Sequence, residues 1–308
     1  MQRRYRIGTR GSKLALIQAN DVAARLAAAL GRPVDEATEI VVISTQGDRV
    51  QDRNLSELGG KGLFTQEIED GLLDKSIDLA VHSMKDMPTV LPDGLLIDCI
   101  LERVDPRDAF LSFKASSLAD LPEGAVVGTS SLRRAAQVQL RRPDVKIVPF
   151  RGNVDTRLRK LEEGVADATL LAMAGLTRMG LVDRVTAPLS TDEVLPAVAQ
   201  GAVGIERRVD DDEAAEALSL IHHAETGLRV TAERALLRVL DGSCRTPIAA
   251  LAEITGKRMR LRGMILTPDG KEVLETAREG LAADADALGA DAGEELKSRA
   301  GPQFFQTA

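Results

Sequence analysis

The chain has 308 residues, of which 44% are apolar, 28% are charged and only 2% are aromatic, and its formal net charge is −7. These values argue against a nucleic-acid-binding protein, because single-strand binding relies on aromatic side chains that stack on bases and duplex binding relies on a positively charged surface. Two cysteines (Cys99 and Cys244), an N-terminus without an apolar signal stretch and the lack of a membrane-length apolar run predict a cytoplasmic protein that contacts no membrane.

The first two-thirds of the chain alternates strand-like and helix-like segments. Short apolar or β-branched runs predict strands at Tyr5–Gly8, Glu39–Ser44, Ile77–His82, Ala125–Gly128, Lys146–Phe150 and Ala168–Leu171. Helical periodicity predicts helices at Leu14–Leu30, with Ser12 as its N-cap, and at Phe64–Leu73, Leu132–Leu140 and Val154–Gly164. This alternation predicts an α/β fold with mostly parallel sheets and helices on both faces.

The C-terminal part of the chain has a different pattern. A helix is predicted at Thr231–Leu240, followed by strands at Ile248–Ile254, Met259–Ile265 and Val273–Ala277 and a last helix at Ala285–Ala300. These elements predict a small α+β domain. Earlier in the chain, the long polar segment Thr45–Gly62 is either a mobile lid or an inert surface loop.

Four predicted strand-to-helix turns combine hydroxyl or amide side chains with basic residues. In open α/β sheets ligands bind at the carboxyl ends of the strands, where helix N-termini, hydroxyls and arginines all favour anions. The pattern predicts a ligand with several negative groups, and the absence of phosphate-loop motifs favours carboxylates over phosphates. The alternative is that these arginines form solvated surface ion pairs. The four turns are Gly8–Lys13, His82–Asp86, Gly128–Arg134 and Arg151–Arg157.

The two cysteines lie in different surroundings. Cys99 falls in the apolar stretch Leu95–Leu101 and is expected in the core. Cys244 follows the C-terminus of a predicted helix, where the helix dipole raises a thiol pKa. That setting suits a thiolate that reacts once and stays bonded, although a buried, idle thiol is the alternative.

Nine segments spread over nearly the whole chain carry a family resemblance: RIGTRGSKLAL, STQGDR, GGKGLFTQEIE, DLAVHSMKDMP, GTSSLRRAAQ, FRGNVDTRL, AMAGLTRMGL, LPAVAQGAVGIE and GSCRTPI. With these segments the chain resembles the porphobilinogen deaminase family, also called hydroxymethylbilane synthases. The resemblance implies a transferase of haem biosynthesis that joins four porphobilinogen molecules head to tail, with loss of ammonia, into the linear tetrapyrrole hydroxymethylbilane. It also implies a dipyrromethane cofactor bound through a cysteine thioether.

Transferred residue by residue, the resemblance makes Asp86 the catalytic carboxylate and Cys244 the attachment site of the cofactor. The arginines of the cleft are expected to lack protein partners until the anionic cofactor arrives. The sequence departs from the family where Ala199 replaces a frequent glycine. The residues implied to bind the cofactor are Lys85, Ser83, Arg133, Arg134, Ser130 and Thr129, and those implied to bind substrate are Arg10, Ser12, Arg151, Arg157, Arg178 and Phe64.

The resemblance also implies a three-domain architecture. Two α/β domains, residues 1–101 with 202–221 and residues 102–201, are expected to resemble type II periplasmic binding proteins. A C-terminal α+β domain, residues 222–308, is expected to carry the cysteine. We expect a monomer whose product passes to a downstream cyclising synthase. The alternative function is a non-enzymatic, two-lobed anion-binding protein, which would need neither Asp86 nor Cys244.

Overall fold

The computed structural model describes residues 3–45, 65–240, 246–301 and 304–305. The chain divides into two compact units, each made of two chain segments. The first unit comprises Met1–Arg103 and Ala202–Gly227, and the second comprises Val104–Gly201 and Leu228–Ala308.

The regular elements of the described residues are numbered in chain order. The strands are β1 (Tyr5–Arg10), β2 (Thr38–Ile43), β3 (Leu79–Ser83), β4 (Leu95–Ile100), β5 (Asp108–Ser112), β6 (Val126–Gly128), β7 (Lys146–Val148), β8 (Ala168–Ala172), β9 (Ala187–Pro188), β10 (Val203–Arg208), β11 (Ile248–Thr255), β12 (Arg258–Leu266) and β13 (Val273–Leu281). The helices are α1 (Lys13–Ala29), α2 (Val34–Ala37), α3 (Gln66–Leu73), α4 (Leu132–Arg141), α5 (Val154–Glu162), α6 (Met173–Arg178), α7 (Asp212–Ser219), α8 (Ala224–Val239) and α9 (Ala285–Ala300).

The first unit is built on a five-stranded sheet with the order β2-β1-β3-β10-β4. Strand β1 runs parallel to β2 and β3, whereas β10 is antiparallel to both β3 and β4. Helix α1 begins where Ser12 Oγ accepts a hydrogen bond from Ala15 N at 3.3 Å, which confirms the predicted cap. Its buried face, which includes Val22 and Leu26, belongs to the core that covers this sheet.

The second unit repeats this arrangement in a sheet with the order β7-β6-β8-β5-β9. Strand β6 is parallel to β7 and β8, and β5 is antiparallel to β8 and β9. The predicted α/β class is confirmed, and the predicted parallel strands are the parallel part of each sheet. The sheets as a whole are mixed, because β10 in the first sheet and β5 in the second run antiparallel to both of their neighbours. Strands β10, β4, β5 and β9 were not among the predicted strands.

The C-terminal part of the second unit is an antiparallel sheet, β11-β12-β13, packed against two helices, which confirms the α+β class predicted for the small C-terminal domain. Gly289 and Gly293 lie one turn apart on α9, and a methyl group at either position would press on the backbone of α8. These glycines therefore let the two helices approach closely. Leu251, Met264 and Leu266 of the sheet share a core with Ala136 of α4 and with Leu195.

Helix α8 begins seven residues before its predicted start at Thr231. Two histidines, His222 and His223, lie just before this helix and are both half-buried. His223 Nδ1 accepts from Thr226 N at 3.2 Å and so caps the helix, while His222 Nδ1 accepts from Ile100 N at 3.1 Å. Gly227 lies inside the helix, where the lack of a Cβ atom makes room for the His222 ring.

None of the helices in the described ranges is both long enough and apolar enough to cross a bilayer.

Candidate active site

In the first unit, two predicted ligand-binding turns lie at one edge of the sheet. Arg10 ends β1 and Ser83 ends β3, and these neighbouring strands are parallel, so their carboxyl ends coincide. Gln18 of α1 joins this edge, with its Nε2 at 2.9 Å from Ser83 Oγ. Helix α1, capped by Ser12, therefore begins at the same edge and holds the Ser83 hydroxyl in place.

The turn that follows β3 carries Lys85 and Asp86. Met84 and Met87 are buried on either side of them, and Met84 N donates to Ala202 O at 3.0 Å. Because the methionines point inward, both Lys85 and Asp86 are exposed on the 3-10 turn Met84–Asp86. The fold thus presents a carboxylate and an ammonium group side by side in sequence on a turn anchored by apolar packing.

In the second unit, the turns after β6 and β7 are joined directly. Ser130 Oγ accepts from Phe150 N at 2.9 Å, and Thr129 N donates to Val148 O at 3.0 Å. Since β6 and β7 are parallel neighbours, Ser130 and Arg151 lie at the same edge of this sheet.

A lysine not included in the predicted site supports this edge. Lys160 Nζ of α5 donates to Arg151 O at 3.1 Å and lies 6.0 Å from the centre of the Phe150 ring. Helix α5 begins here, with Asn153 Oδ1 accepting from Thr156 N at 2.8 Å. Its Arg157 and the preceding Arg151 are both half-buried.

Arg133 and Arg134, in the first turn of α4, do not lie open to solvent. Both are buried, and each contacts a carboxylate oxygen of Asp108, the first residue of β5, at 2.7 Å. The expectation of arginines without protein partners is therefore wrong for this pair. Sequence reasoning missed Asp108, although an acidic residue at the start of an otherwise apolar strand is an unusual signal.

The electrostatics of this cluster leave it short of negative charge. Burial opposes ionisation of Asp108, but the charges of Arg133 and Arg134 hold the pKa of its carboxyl well below the usual range. Burial lowers the pKa of Arg133, although the guanidinium keeps its proton at neutral pH. Two guanidinium groups thus face one carboxylate. In addition, the buried Arg133 Nε has no hydrogen-bond partner among the described residues.

Arg178, the last residue of α6, is half-buried and contacts a segment that sequence reasoning did not connect with it. Its Nη2 donates to Gly201 O at 2.9 Å. The neighbouring Gln200 is buried, and its Nε2 donates to Asp108 Oδ1 at 3.0 Å and to Pro106 O at 2.8 Å. Gly201 therefore contacts Arg178 directly, and Gln200 contacts Asp108, the carboxylate that pairs with Arg133 and Arg134.

Two predicted site residues, Cys244 and Phe64, lie outside the described residues, as does most of the segment Thr45–Gly62. Cys99 is in the core, as expected. Its Sγ lies 3.4 Å from Leu218 O, and burial raises the pKa of its thiol to about 12. Cys99 is consequently too poor in thiolate to attach a ligand at neutral pH.

Comparison with known families decides the assignment. Residues 5–216 match the sequence model described as "porphobilinogen deaminase, dipyromethane cofactor binding domain", and residues 227–298 match the model of the porphobilinogen deaminase C-terminal domain. The chain belongs to the porphobilinogen deaminase family. The first match runs from the start of β1 into α7, and the second runs from the first turn of α8 to near the end of α9.

Named relatives cover almost the entire chain. A porphobilinogen deaminase of Paracoccus denitrificans (strain Pd 1222) is 60% identical over 304 residues, covering 99% of this chain and 97% of that protein. One from Nitrobacter hamburgensis is 57% identical, covering 97% and 94%. A chloroplastic porphobilinogen deaminase of Oryza sativa subsp. japonica is 53% identical, covering 98% and 86%.

Among solved structures, a nutrient-binding protein from Burkholderia cenocepacia bound to methionine is 15% identical, with a TM-score of 0.44. The match covers 76% of this chain and 94% of that one.

Proposed function

We propose that this porphobilinogen deaminase family member is the transferase that joins four porphobilinogen molecules head to tail, with loss of ammonia, into hydroxymethylbilane. The observation that carries the proposal is the anchored turn with exposed Lys85 and Asp86, at the end of a strand beside Arg10. We further propose a cytoplasmic monomer whose product passes to a cyclising synthase. The three domains at 1–101 with 202–221, 102–201 and 222–308 are part of the same proposal.

The described residues fit a dipyrromethane cofactor in charge and in donor type. The cluster of Arg133, Arg134 and Asp108 has more positive than negative charge, and Arg133 Nε is a buried donor without a partner in the described ranges. A ligand with several carboxylates supplies both the charge and the acceptors. Attached through Cys244, dipyrromethane would supply the pyrrole carbon to which the first substrate is joined.

The remaining groups bind and orient carboxylates. Hydrogen bonds to charged groups are each worth about 1.5–3 kcal/mol, so several arginines and hydroxyls can hold a substrate in one orientation. In the first unit these groups are Arg10, Ser12, Ser83 and Lys85, and in the second they are Thr129, Ser130, Arg133, Arg134, Arg151, Arg157 and Arg178. Phe64 is proposed to contribute an apolar contact.

Asp86 is the residue proposed to act on the reacting atoms. Positive charge develops on the substrate pyrrole when ammonia leaves, and a carboxylate held close to the pyrrole N–H stabilises that charge. The exposed position of Asp86 on a turn fixed by Met84 and Met87 suits this task, because the anchor keeps the carboxylate in place while the side chain remains accessible.

Purified protein incubated with porphobilinogen is expected to release ammonia and form a linear tetrapyrrole. Asp86→Asn, which keeps the shape and removes the charge, should lower kcat by at least about 100-fold. The matched control is Asp93→Asn, an exposed carboxylate of the same unit, which should keep wild-type activity. If Asp86→Asn retained most of the activity, the role of Asp86 would be refuted. Binding of porphobilinogen without ammonia release would favour the anion-binding alternative.

A further inference from the structure

A buried carboxylate of α8 lies next to the segment that contacts the arginines. Glu233 is fully buried, and its Oε2 accepts from Ala199 N at 2.6 Å. Its Oε1 accepts from Ala252 N of β11 at 2.8 Å. A buried carboxylate held by two backbone donors is fixed in position, so Glu233 ties the backbone at residue 199 to the C-terminal sheet.

The backbone at Ala199 needs such a restraint. Ala199 has φ of 57°, in the left-handed region that is unfavourable for a residue with a Cβ atom. The hydrogen bond from its N–H to Glu233 compensates for this conformation. The left-handed turn in turn sets the direction of Gln200 and Gly201, which follow it directly.

Gln200 and Gly201 connect this turn to the cationic groups of the second unit through hydrogen bonds. Gln200 Nε2 donates to Asp108, the carboxylate that pairs with Arg133 and Arg134. Gly201 O accepts from Arg178. A continuous series of contacts therefore runs from Glu233 through the 199–201 backbone to three of the arginines proposed to bind carboxylates.

We infer that Glu233 is a positioning residue, through which helix α8 sets the geometry of Arg178 and of the Arg133–Arg134 pair. This inference rests on the proposed function, because it assigns those arginines to the carboxylates of porphobilinogen and its products. In this inference the fully buried Glu233 acts through the backbone at residues 199–201 and not by touching the ligand. A variant without the Glu233 carboxylate should bind the substrate carboxylates less well than a variant that lowers stability equally but leaves Glu233 intact.

The test compares Glu233→Gln with Leu236→Ala, a cavity variant of a fully buried residue on the same helix. Both should lower the melting temperature, so both are assayed well below it. Glu233→Gln places an NH2 group against one of the two backbone donors. It should raise KM for porphobilinogen roughly tenfold, because arginines that are displaced from the substrate carboxylates bind them less well. It should also speed amide hydrogen exchange in a peptide covering residues 196–202. Leu236→Ala should change neither quantity.

Ala199→Gly in the Glu233→Gln background provides a rescue test. Glycine adopts the left-handed backbone without a restraint, so KM should return towards the wild-type value if the effect passes through residue 199. Equal KM values for Glu233→Gln and Leu236→Ala, or no rescue by glycine, would overturn the inference. If Glu233→Gln does not fold, Glu233→Asp, whose shorter side chain reaches only one donor, takes its place with the same expectations.

The hydrogen-exchange comparison separates this inference from the proposed function. If the wild-type protein consumed no porphobilinogen, the proposed function would fail and the assignment of Arg178 to the substrate would fail with it. Faster exchange at residues 196–202 in Glu233→Gln alone would still support the structural link between Glu233 and Ala199. Unchanged exchange in an active enzyme would refute the link and leave the proposed function intact.

Discussion

Asp108 and Arg133 form an ion pair at 2.7 Å in which the carboxylate is fully buried and the guanidinium is only 5% exposed. Arg134 contacts the other oxygen of the same carboxylate at 2.7 Å. One carboxylate thus holds two cationic side chains from consecutive positions of α4 inside the second unit. The cluster is stable only while that carboxylate is ionised, and its remaining positive charge favours an anionic ligand.

Asp108→Asn should strongly destabilise the protein. The substitution keeps the shape of the side chain but leaves two buried guanidinium groups without a counter-ion, which costs about 3–5 kcal/mol. Urea unfolding at neutral pH measures the loss. The control is Asp192→Asn, which removes an ion pair of Arg262 with an exposed aspartate and should cost less than about 1 kcal/mol. Equal losses in the two variants would contradict a buried ion cluster.

Acid should destabilise the protein through two aspartates of the first unit. Burial raises the pKa of Asp78, but hydrogen bonds from Arg6 and Arg3 outweigh burial and lower this pKa to about 2. Hydrogen bonds from Arg3 lower the pKa of Asp211 to about 2 as well. Since an unfolded aspartate has a pKa of about 3.9, the unfolded state binds more protons between these values. The stabilisation is therefore present above pH 4 or so and is lost as the pH falls towards about 2.

Asp78→Asn should flatten this pH dependence. The free energy of unfolding, measured in urea from about pH 3 to about pH 6, should rise with pH less steeply in the variant than in the wild type. Asp93→Asn, at an exposed site, should leave the slope unchanged. A wild-type slope in Asp78→Asn would show that the ion network around Arg3 does not contribute.

Gly204→Ala tests the packing beneath the turn that carries Lys85 and Asp86. A Cβ atom at Gly204 of β10 would overlap Met84 Sδ and lie 3.0 Å from Ile97 Cγ2. Overpacking of this kind costs about 1–3 kcal/mol, and the displaced Met84 should move Asp86 and lower kcat. Val203→Ala, a cavity variant at a buried residue of the same strand, should lose stability without a comparable fall in kcat. Equal activity in both variants would show that the position of Met84 does not affect catalysis.

Elements with a strong local pattern could be predicted from the sequence. The run Glu39–Ser44 became β2 with a shift of one residue at each end, and the last helix, Ala285–Ala300, has its predicted bounds. Strand β10 was missed because its sequence, VGIERR, contains a glycine and three charged residues. Two of those charges are stabilised by partners distant in the sequence: Glu206 contacts His82 at 2.9 Å, and Arg208 Nη1 donates to Leu72 O and Ile77 O, each at 2.8 Å.

The candidate site also has a part that could be predicted from the sequence and a part that could not. The hydroxyls and arginines at strand ends were predictable, because the carboxyl ends of neighbouring parallel strands meet at one edge. The contacts of Asp108 and Glu233 were not, because each carboxylate meets groups far from it in the sequence. Local patterns identify the groups available to a ligand, whereas tertiary contacts determine which of them are already paired.

Intact-mass measurement tests the central claim most directly, namely that this chain carries a multiply charged primer on Cys244. The purified wild-type protein should be heavier than its sequence by a two-pyrrole adduct, and Cys244→Ser should have the mass of its sequence and a lower melting temperature. A wild-type protein with the mass of its bare sequence, or an adduct that persists in Cys244→Ser, would contradict the account.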